Sequence, residues 1–517
     1  MFVHNQQPEH PAFPNDAIRD RSTLRRKSTP VLNLPVSPFS AQTADRPPMK
    51  AQWAPVVSSA VVGTAALLAT GLTVAGHATT VVVLVVVGAV LAASLCWPDC
   101  GLSGVVLTAV LLPFAVLPVD FGLKPSLLNV ALGLVLVRWA VAGIRGELEP
   151  VHLFSVAPAL LFALLYTAAV FWGFNFETPS AFELRKTTEY LMGLMLFPVA
   201  LTTLTTVRRI RIVVTALAVG GTVAALAALF LYFVPRTAAA NILGSLAVFD
   251  YPEGHAALRY LNDNPLEAMR AIGLSTDPNL LGAVCVLTAA VLLPFLFRWQ
   301  SPTVQIAAGL ALAVVAAATY LTYSRNALLA IGTIGLFLAV FRHRILLPAG
   351  GGLALLLVLL PQTQGYVRRL AEGFMGRDLA TRMRLTEYAN ALEIVREWPW
   401  TGLGFFGSPA VDLEMGVSMI YLAVASTMGV PALLLFCGIL LAPLLQFLGT
   451  PWRRHPLEPW VLGLAGAVIG LVMTGIFDHF YVNLLYPHMS ALYWLLLGAC
   501  TAALRLVRSD RGLVKTA

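Results

Sequence analysis

Four polar stretches interrupt an otherwise apolar chain, and each holds residue types able to do chemistry. The first runs from Arg270 through Asp277-Pro278-Asn279 to Gly282. The second is Thr322-Tyr323-Ser324-Arg325-Asn326, an island between two apolar runs. The third carries Arg382, Arg384, Glu387, Asn390 and Glu393 and ends in Trp398-Pro399-Trp400-Thr401-Gly402-Leu403-Gly404. The fourth is Asp478-His479-Phe480-Tyr481-Val482-Asn483, continuing to His488. A guanidinium stays charged and matches phosphate oxygens with a planar fork. A carboxylate beside an imidazole is a pairing suited to moving a proton. Each stretch also has a plain structural use. Asp277 can cap a helix whose first turn suits Pro278. Arg325 can snorkel from a tight turn, and Arg384 and Glu387 are spaced to pair along one helix face. A hydrogen-bonded loop histidine is an ordinary use of His479.

These stretches sit in a chain that cannot cover a water-facing surface. Hydrophobic residues make up 58% of its 517 residues and charged residues only 12%, with a mean hydropathy of +0.78. Soluble domains carry about a quarter charged residues. The fold class expected is therefore all-α, a polytopic transmembrane helix bundle. The net charge of +8 does not indicate nucleic acid, because the basic residues fall in short clusters between apolar runs, the topology pattern of membrane proteins. Cys96, Cys100, Cys285, Cys437 and Cys500 lie in or beside apolar runs with no metal-ligand partners nearby. Neither a disulfide framework nor a metal site is expected, and no cofactor is implied.

Apolar runs fall near 54–76, 78–97, 101–119, 126–143, 153–174, 187–205, 211–234, 279–298, 303–322, 326–341, 345–361, 416–446, 460–477 and 485–505. Most approach the roughly 20 residues that a spanning helix needs. They give about fourteen spans, with twelve as the lower bound. Residues 1–52, polar and proline-rich, read as a disordered cytoplasmic tail. Spans occupy 53–234, an outer loop 235–277, further spans 278–361, a large outer loop 362–415, the last spans 416–505 and a short cytoplasmic tail 506–517. With both termini inside, Arg138 and Arg145, Arg208 to Arg211, Arg298, Arg342 and Arg344, Arg453 and Arg454, and Arg505 to Lys515 all fall in cytoplasmic connections, as the positive-inside rule requires. Within the large loop, Leu385, Ala389, Leu392 and Val395 recur at three and four. That spacing predicts an amphipathic periplasmic helix lying on the membrane or capping a cavity.

Taken together, the motifs resemble the O-antigen ligase and polymerase family. The points of similarity are Arg270 to Asn279 opening a helix, Ser324-Arg325 two helices later, and an arginine-bearing amphipathic helix around Arg384 that ends in Pro399-Trp400-Thr401-Gly402-Leu403-Gly404. The resemblance covers about 265–500. It implies transfer of a glycan from a polyprenyl diphosphate to an acceptor glycan or lipid at the outer face of the bacterial inner membrane. It further implies that Arg325 and Arg384, with Arg270 the weaker match, grip the diphosphate. Asp277, Asn279, Ser324 and Asp478 are supporting residues. Negative charge grows on the departing diphosphate, and fixed arginines stabilise it without a metal. The family often has a His-Asn pair where the large loop re-enters the membrane. Here Gly416-Val417-Ser418-Met419-Ile420-Tyr421 stands in that place, so His479 or Glu387 is left as the proton acceptor. Ligase and polymerase remain equally open. A lipid-linked oligosaccharide flippase or other polysaccharide transporter is the competing class. A polyprenyl-phosphate-sugar transferase would need acidic residues in a first outer loop that is little more than Gly76-His77.

Overall fold

The computed structural model describes residues 101–117, 124–176, 178–252, 254–297, 301–377, 379–405 and 417–516. The tail expected over 1–52 and the first two runs, 54–76 and 78–97, lie outside these residues, as do Cys96 and Cys100.

The chain is an all-α polytopic membrane protein, and its described residues are 76% helical and nearly without strands. The helices are α1 (Gly101–Leu111), α2 (Leu127–Ile144), α3 (Leu153–Gly173), α4 (Ala181–Leu194), α5 (Leu196–Thr203), α6 (Val207–Phe233) and α7 (Arg236–Gly244). After a two-stranded antiparallel ribbon, β1 (Arg259–Tyr260) with β2 (Met269–Arg270), come α8 (Pro278–Leu292), α9 (Pro302–Thr322), α10 (Arg325–Phe341), α11 (Leu346–Leu359), α12 (Gln364–Phe374), α13 (Leu379–Glu397), α14 (Ile420–Leu448), α15 (Glu458–Phe477) and α16 (Pro487–Thr516). Among the described residues, eight helices are long and apolar enough to cross a membrane. Their outer faces carry bare apolar side chains, such as Phe154 and Leu164 on α3 and Leu434 and Leu445 on α14. Such a surface suits hydrocarbon, not water. At the centre lies α16, apolar all round its first half and buried there, with Trp494 and Tyr493 packed on Phe436 of α14. A helix apolar on every side belongs inside a bundle.

The run at 187–205 is two helices. Ser180 and Glu183 form a capping box at the start of α4, and the chain bends at Met195 into α5, with Pro198 in its first turn. The over-long run at 416–446 is one helix broken at Gly429, where φ is 82°. Pro431 follows and offers no backbone N–H. The segment after α13 fills the break. Leu403 and Gly404 donate to the carbonyls of Ser426 and Thr427 at 2.8 and 3.0 Å, and Val430 donates to Pro399 at 2.8 Å. The backbone groups freed by the break thus find partners inside the protein, which a bilayer demands. Gly402, at φ 65°, has no room for a Cβ beside the Thr427 backbone.

The arginine clusters gather at one end of the bundle. Trp139 donates to Thr202 at 2.8 Å, and Arg505 to the Leu201 carbonyl at 3.4 Å. Arg211 reaches the Pro456 carbonyl at 3.4 Å and Arg453 that of Phe341 at 3.1 Å. The four polar stretches fall at the opposite end.

Candidate functional site

At that opposite end, α10 begins where α9 stops. Tyr323 closes α9 in a left-handed conformation, and Ser324, buried, is the N-cap of α10. Arg325 is therefore the first residue of a helix, at the bundle end away from the basic clusters. Helix α12 lies across it. A Cβ on Gly373 would collide with the Arg325 guanidinium, so this glycine lets the helix backbone sit directly on the charge.

Helix α13 forms the second wall. Its inward face is Thr381, Arg384, Tyr388 and Ala391, spaced three and four apart, whereas Leu385 and Leu392 are about half exposed. The apolar stripe read from sequence thus faces mostly outward, although Leu385 also borders the cavity described next, and the polar face covers the bundle. Between α10, α12, α13 and the end of α15 lies a cavity of about 240 Å³, into which Arg325, Asn326, Arg384 and Tyr388 project beside Met419, Ile476 and Phe477. Asn326 Nδ2 donates to the Thr474 carbonyl at 3.0 Å. Its Oδ1 is buried with no hydrogen-bond partner, an acceptor lining the cavity.

Asp478 leaves α15 in extended backbone and is buried. Its Oδ2 stands 4.0 Å from Arg384 Nη2, and its Oδ1 accepts the His479 N–H at 3.0 Å. Burial pushes the Asp478 carboxyl up to about 7; Arg384 and the His479 N–H oppose this, while Asp277 and Glu387 add to it. Burial, and secondarily Arg384, bring the His479 imidazole down to about 4. Asn483 fixes the ring. Its Oδ1 accepts from Leu485 at 2.8 Å, which turns its amide nitrogen to His479 Nε2 at 2.7 Å. Nε2 then accepts and the neutral ring carries its proton on Nδ1, which lies 3.6 Å from Asp478 Oδ1 and has no hydrogen-bond partner.

The other expected site residues are placed differently. Glu387 does not pair with Arg384; its Oε2 accepts the Ser418 N–H at 2.9 Å, while Tyr388 donates to the Ser418 carbonyl at 3.0 Å. Both hold the segment where the family's histidine would stand. Arg270 lies outside the cavity lining. It donates to the Thr322 carbonyl at 2.8 Å and to Asn279 Oδ1 at 2.9 Å, bracing the turn that delivers Ser324 and Arg325. Asp277 caps α8, accepting from Asn279 and Leu280 at 2.7 and 3.0 Å. So two of the three arginines share the cavity and the third supports it from behind. Sequence reading named Asn326 within the polar island without giving it a role, and did not single out Tyr388 or Gly373. Asn326 had a signal, a polar side chain one residue inside an apolar helix; Gly373 had none. Among the described residues, no group of three or more His, Cys, Asp or Glu is placed to hold a metal ion.

An all-α membrane bundle with a small arginine-lined cavity at one end, roofed by an amphipathic helix, defines the class. Residues 310–437 match the family model described as O-Antigen ligase, a likeness over that stretch that supports an O-antigen ligase-related family. The matched stretch includes Arg325, Arg384 and Glu387, and stops before Asp478 and His479. A search of curated proteins finds no match. The family match supports membrane glycan processing of the O-antigen ligase or polymerase type.

Proposed function

We propose that this protein transfers or polymerises a glycan carried on a polyprenyl diphosphate, at the outer face of the bacterial inner membrane, with both termini in the cytoplasm. One observation carries the reading: Arg325 and Arg384, distant in sequence, line one cavity at the bundle end away from the basic clusters. An arginine pair at the membrane boundary suits a lipid diphosphate, whose chain stays in the bilayer while its charged group reaches the guanidinium forks.

In the transfer, the acceptor hydroxyl oxygen bonds to the anomeric carbon. The bond from that carbon to the diphosphate breaks, and its electron pair leaves on the diphosphate oxygen. Arg325 and Arg384 stabilise that growing charge. The acceptor's proton passes to Asp478. Among the candidate bases, this carboxyl has a proton affinity matched to neutral pH, whereas His479 is a weak base at about 4. Its backbone N–H positions Asp478, and its ring, held by Asn483, lies beside the carboxylate. Glu387 holds the Ser418 backbone. Loading a diphosphate onto Arg384 draws positive charge away from Asp478, which raises its affinity for the proton when the proton must be taken.

A flippase would need charged groups along a path through the bilayer. Helices α8, α9 and α14 contain no Asp, Glu, Lys or Arg, and α10 and α15 carry theirs at the first residue. The two readings separate in proteoliposomes given a polyprenyl-diphosphate-linked oligosaccharide and a glycan acceptor. Release of free polyprenyl diphosphate with a new glycosidic bond supports transfer. Movement of intact lipid between leaflets without bond cleavage would replace it with transport.

A further inference from the structure

The opposite end of the bundle holds a second and larger cavity, about 610 Å³, between the last turns of α10 and α14. Its wall is apolar: Phe341, Phe447 and Leu448. Its mouth is the turn from Thr450 to Arg454. Trp452 stacks on Phe447, with ring centroids 4.9 Å apart, and the Arg453 guanidinium lies 5.4 Å over the Trp452 ring. Arg453 also donates to the Phe341 carbonyl, which ties the turn to the end of α10. Arg454 adopts a left-handed φ of 65°, held by its N–H on Glu458 Oε2. Both Arg453 and Arg454 are exposed, and so are Leu445 and Leu448 on the last turns of α14. Charged heads and bare apolar side chains therefore open on the same side.

The turn at the mouth carries two arginines, Arg453 and Arg454, and no acid. Arg508 stands beside it, donating to Thr450 Oγ1 at 2.8 Å. Glu458 is already engaged by Arg342 at 2.6 Å, and Asp510 by His455 at 3.3 Å. An apolar slot at a helix end, rimmed by a tryptophan and by the arginines of the turn, matches a molecule with an acyl chain and an anionic phosphate. A basic pocket between helices on the side favoured by arginine is where anionic headgroups are held, and tryptophan prefers that depth.

We propose that this cavity is a binding site for an anionic phospholipid, with the phosphate on Arg453 and Arg454 and an acyl chain along Phe341, Phe447 and Leu448. The site is at the far end from the arginine cavity and stands whichever glycan chemistry occurs there.

The test uses the full-length protein in bilayer nanodiscs, with brominated phosphatidylglycerol or brominated phosphatidylethanolamine as quenchers. The signal is the fluorescence that Trp452→Phe removes. The anionic lipid is expected to quench it at far lower mole fraction. In an Arg453→Gln/Arg454→Gln variant that preference should fall roughly 10- to 30-fold, the weight of about two basic contacts. An Arg453→Lys/Arg454→Lys variant keeps the charge and should keep most of the preference, which separates lost binding from lost folding. Equal quenching by both lipids, or a preference that survives the glutamine variant, would overturn the site. Displacement of the anionic lipid by millimolar inorganic phosphate would also overturn it, since the slot would then hold a free anion.

Discussion

Arg384 Nη2 and Asp478 Oδ2 face each other at 4.0 Å, across the boundary between a helix outside the bundle and the end of a spanning helix. The separation is longer than a hydrogen bond, so the guanidinium is steered by the carboxylate without being locked to it. A diphosphate can then claim Arg384 while Asp478 remains beside it as a base.

This pairing fixes a pH dependence. The active form of Asp478 is the carboxylate, so transfer should rise with pH and level off above about 7. If His479 were the base, the rising limb would lie near 4. A rate profile from pH 5 to 9 distinguishes them. Asp478→Asn should lose about 10²- to 10⁴-fold in rate.

The same substitution makes a stability prediction of opposite sense. The folded-state pKa of Asp478 is raised from 3.8 to about 7. Its contribution is therefore most favourable below the unfolded pKa and is lost as pH rises through 7. Asp478→Asn keeps an acceptor for the His479 N–H and removes the buried charge. Its melting temperature at pH 8 should equal or exceed that of the wild type. A marked drop would mean that the carboxylate is chiefly structural.

Glu387→Gln should retain most transfer activity, because a glutamine oxygen can still accept the Ser418 N–H. Glu387→Ala removes that acceptor and should reduce both activity and melting temperature. A glutamine variant as inactive as Asp478→Asn would move the proton-accepting role to Glu387.

Gly402→Ala tests the coupling between the roofing helix and the broken span. The new methyl meets the Thr427 backbone, at a φ that alanine adopts poorly. Strain of about 1–3 kcal/mol is expected, read as a lower melting temperature together with slower transfer. An unchanged melting temperature would show that the 398–404 segment can shift at no cost.

Much of the bundle was legible because spanning helices obey a length rule and arginine marks one side. The runs at 153–174 and 303–322 match α3 and α9 to within a residue or so. Helix α13 was legible from Leu385, Ala389, Leu392 and Val395, though not which face turns inward, because an apolar stripe near a membrane has lipid as an alternative partner. Local chemistry was also readable: Asp277 caps α8. Partners across the chain were not. Arg384 and Glu387 are spaced to pair along their helix, yet tertiary contacts send one to Asp478 and the other to Ser418. Helix α12 was missed among the polar residues of the large loop. The break at Gly429 was hidden inside an unbroken apolar run, since a span interrupted and repaired by a neighbouring segment keeps its hydropathy.

The most direct test of the central claim is equilibrium binding of a polyprenyl diphosphate to the wild type and to Arg325→Ala and Arg384→Ala variants in nanodiscs. If the two guanidinium groups hold the diphosphate together, each alanine variant should weaken binding by roughly 10- to 100-fold, as expected for losing charge-assisted hydrogen bonds. Lysine at either position should restore only part of that affinity. Wild-type affinity in both alanine variants would contradict the assignment.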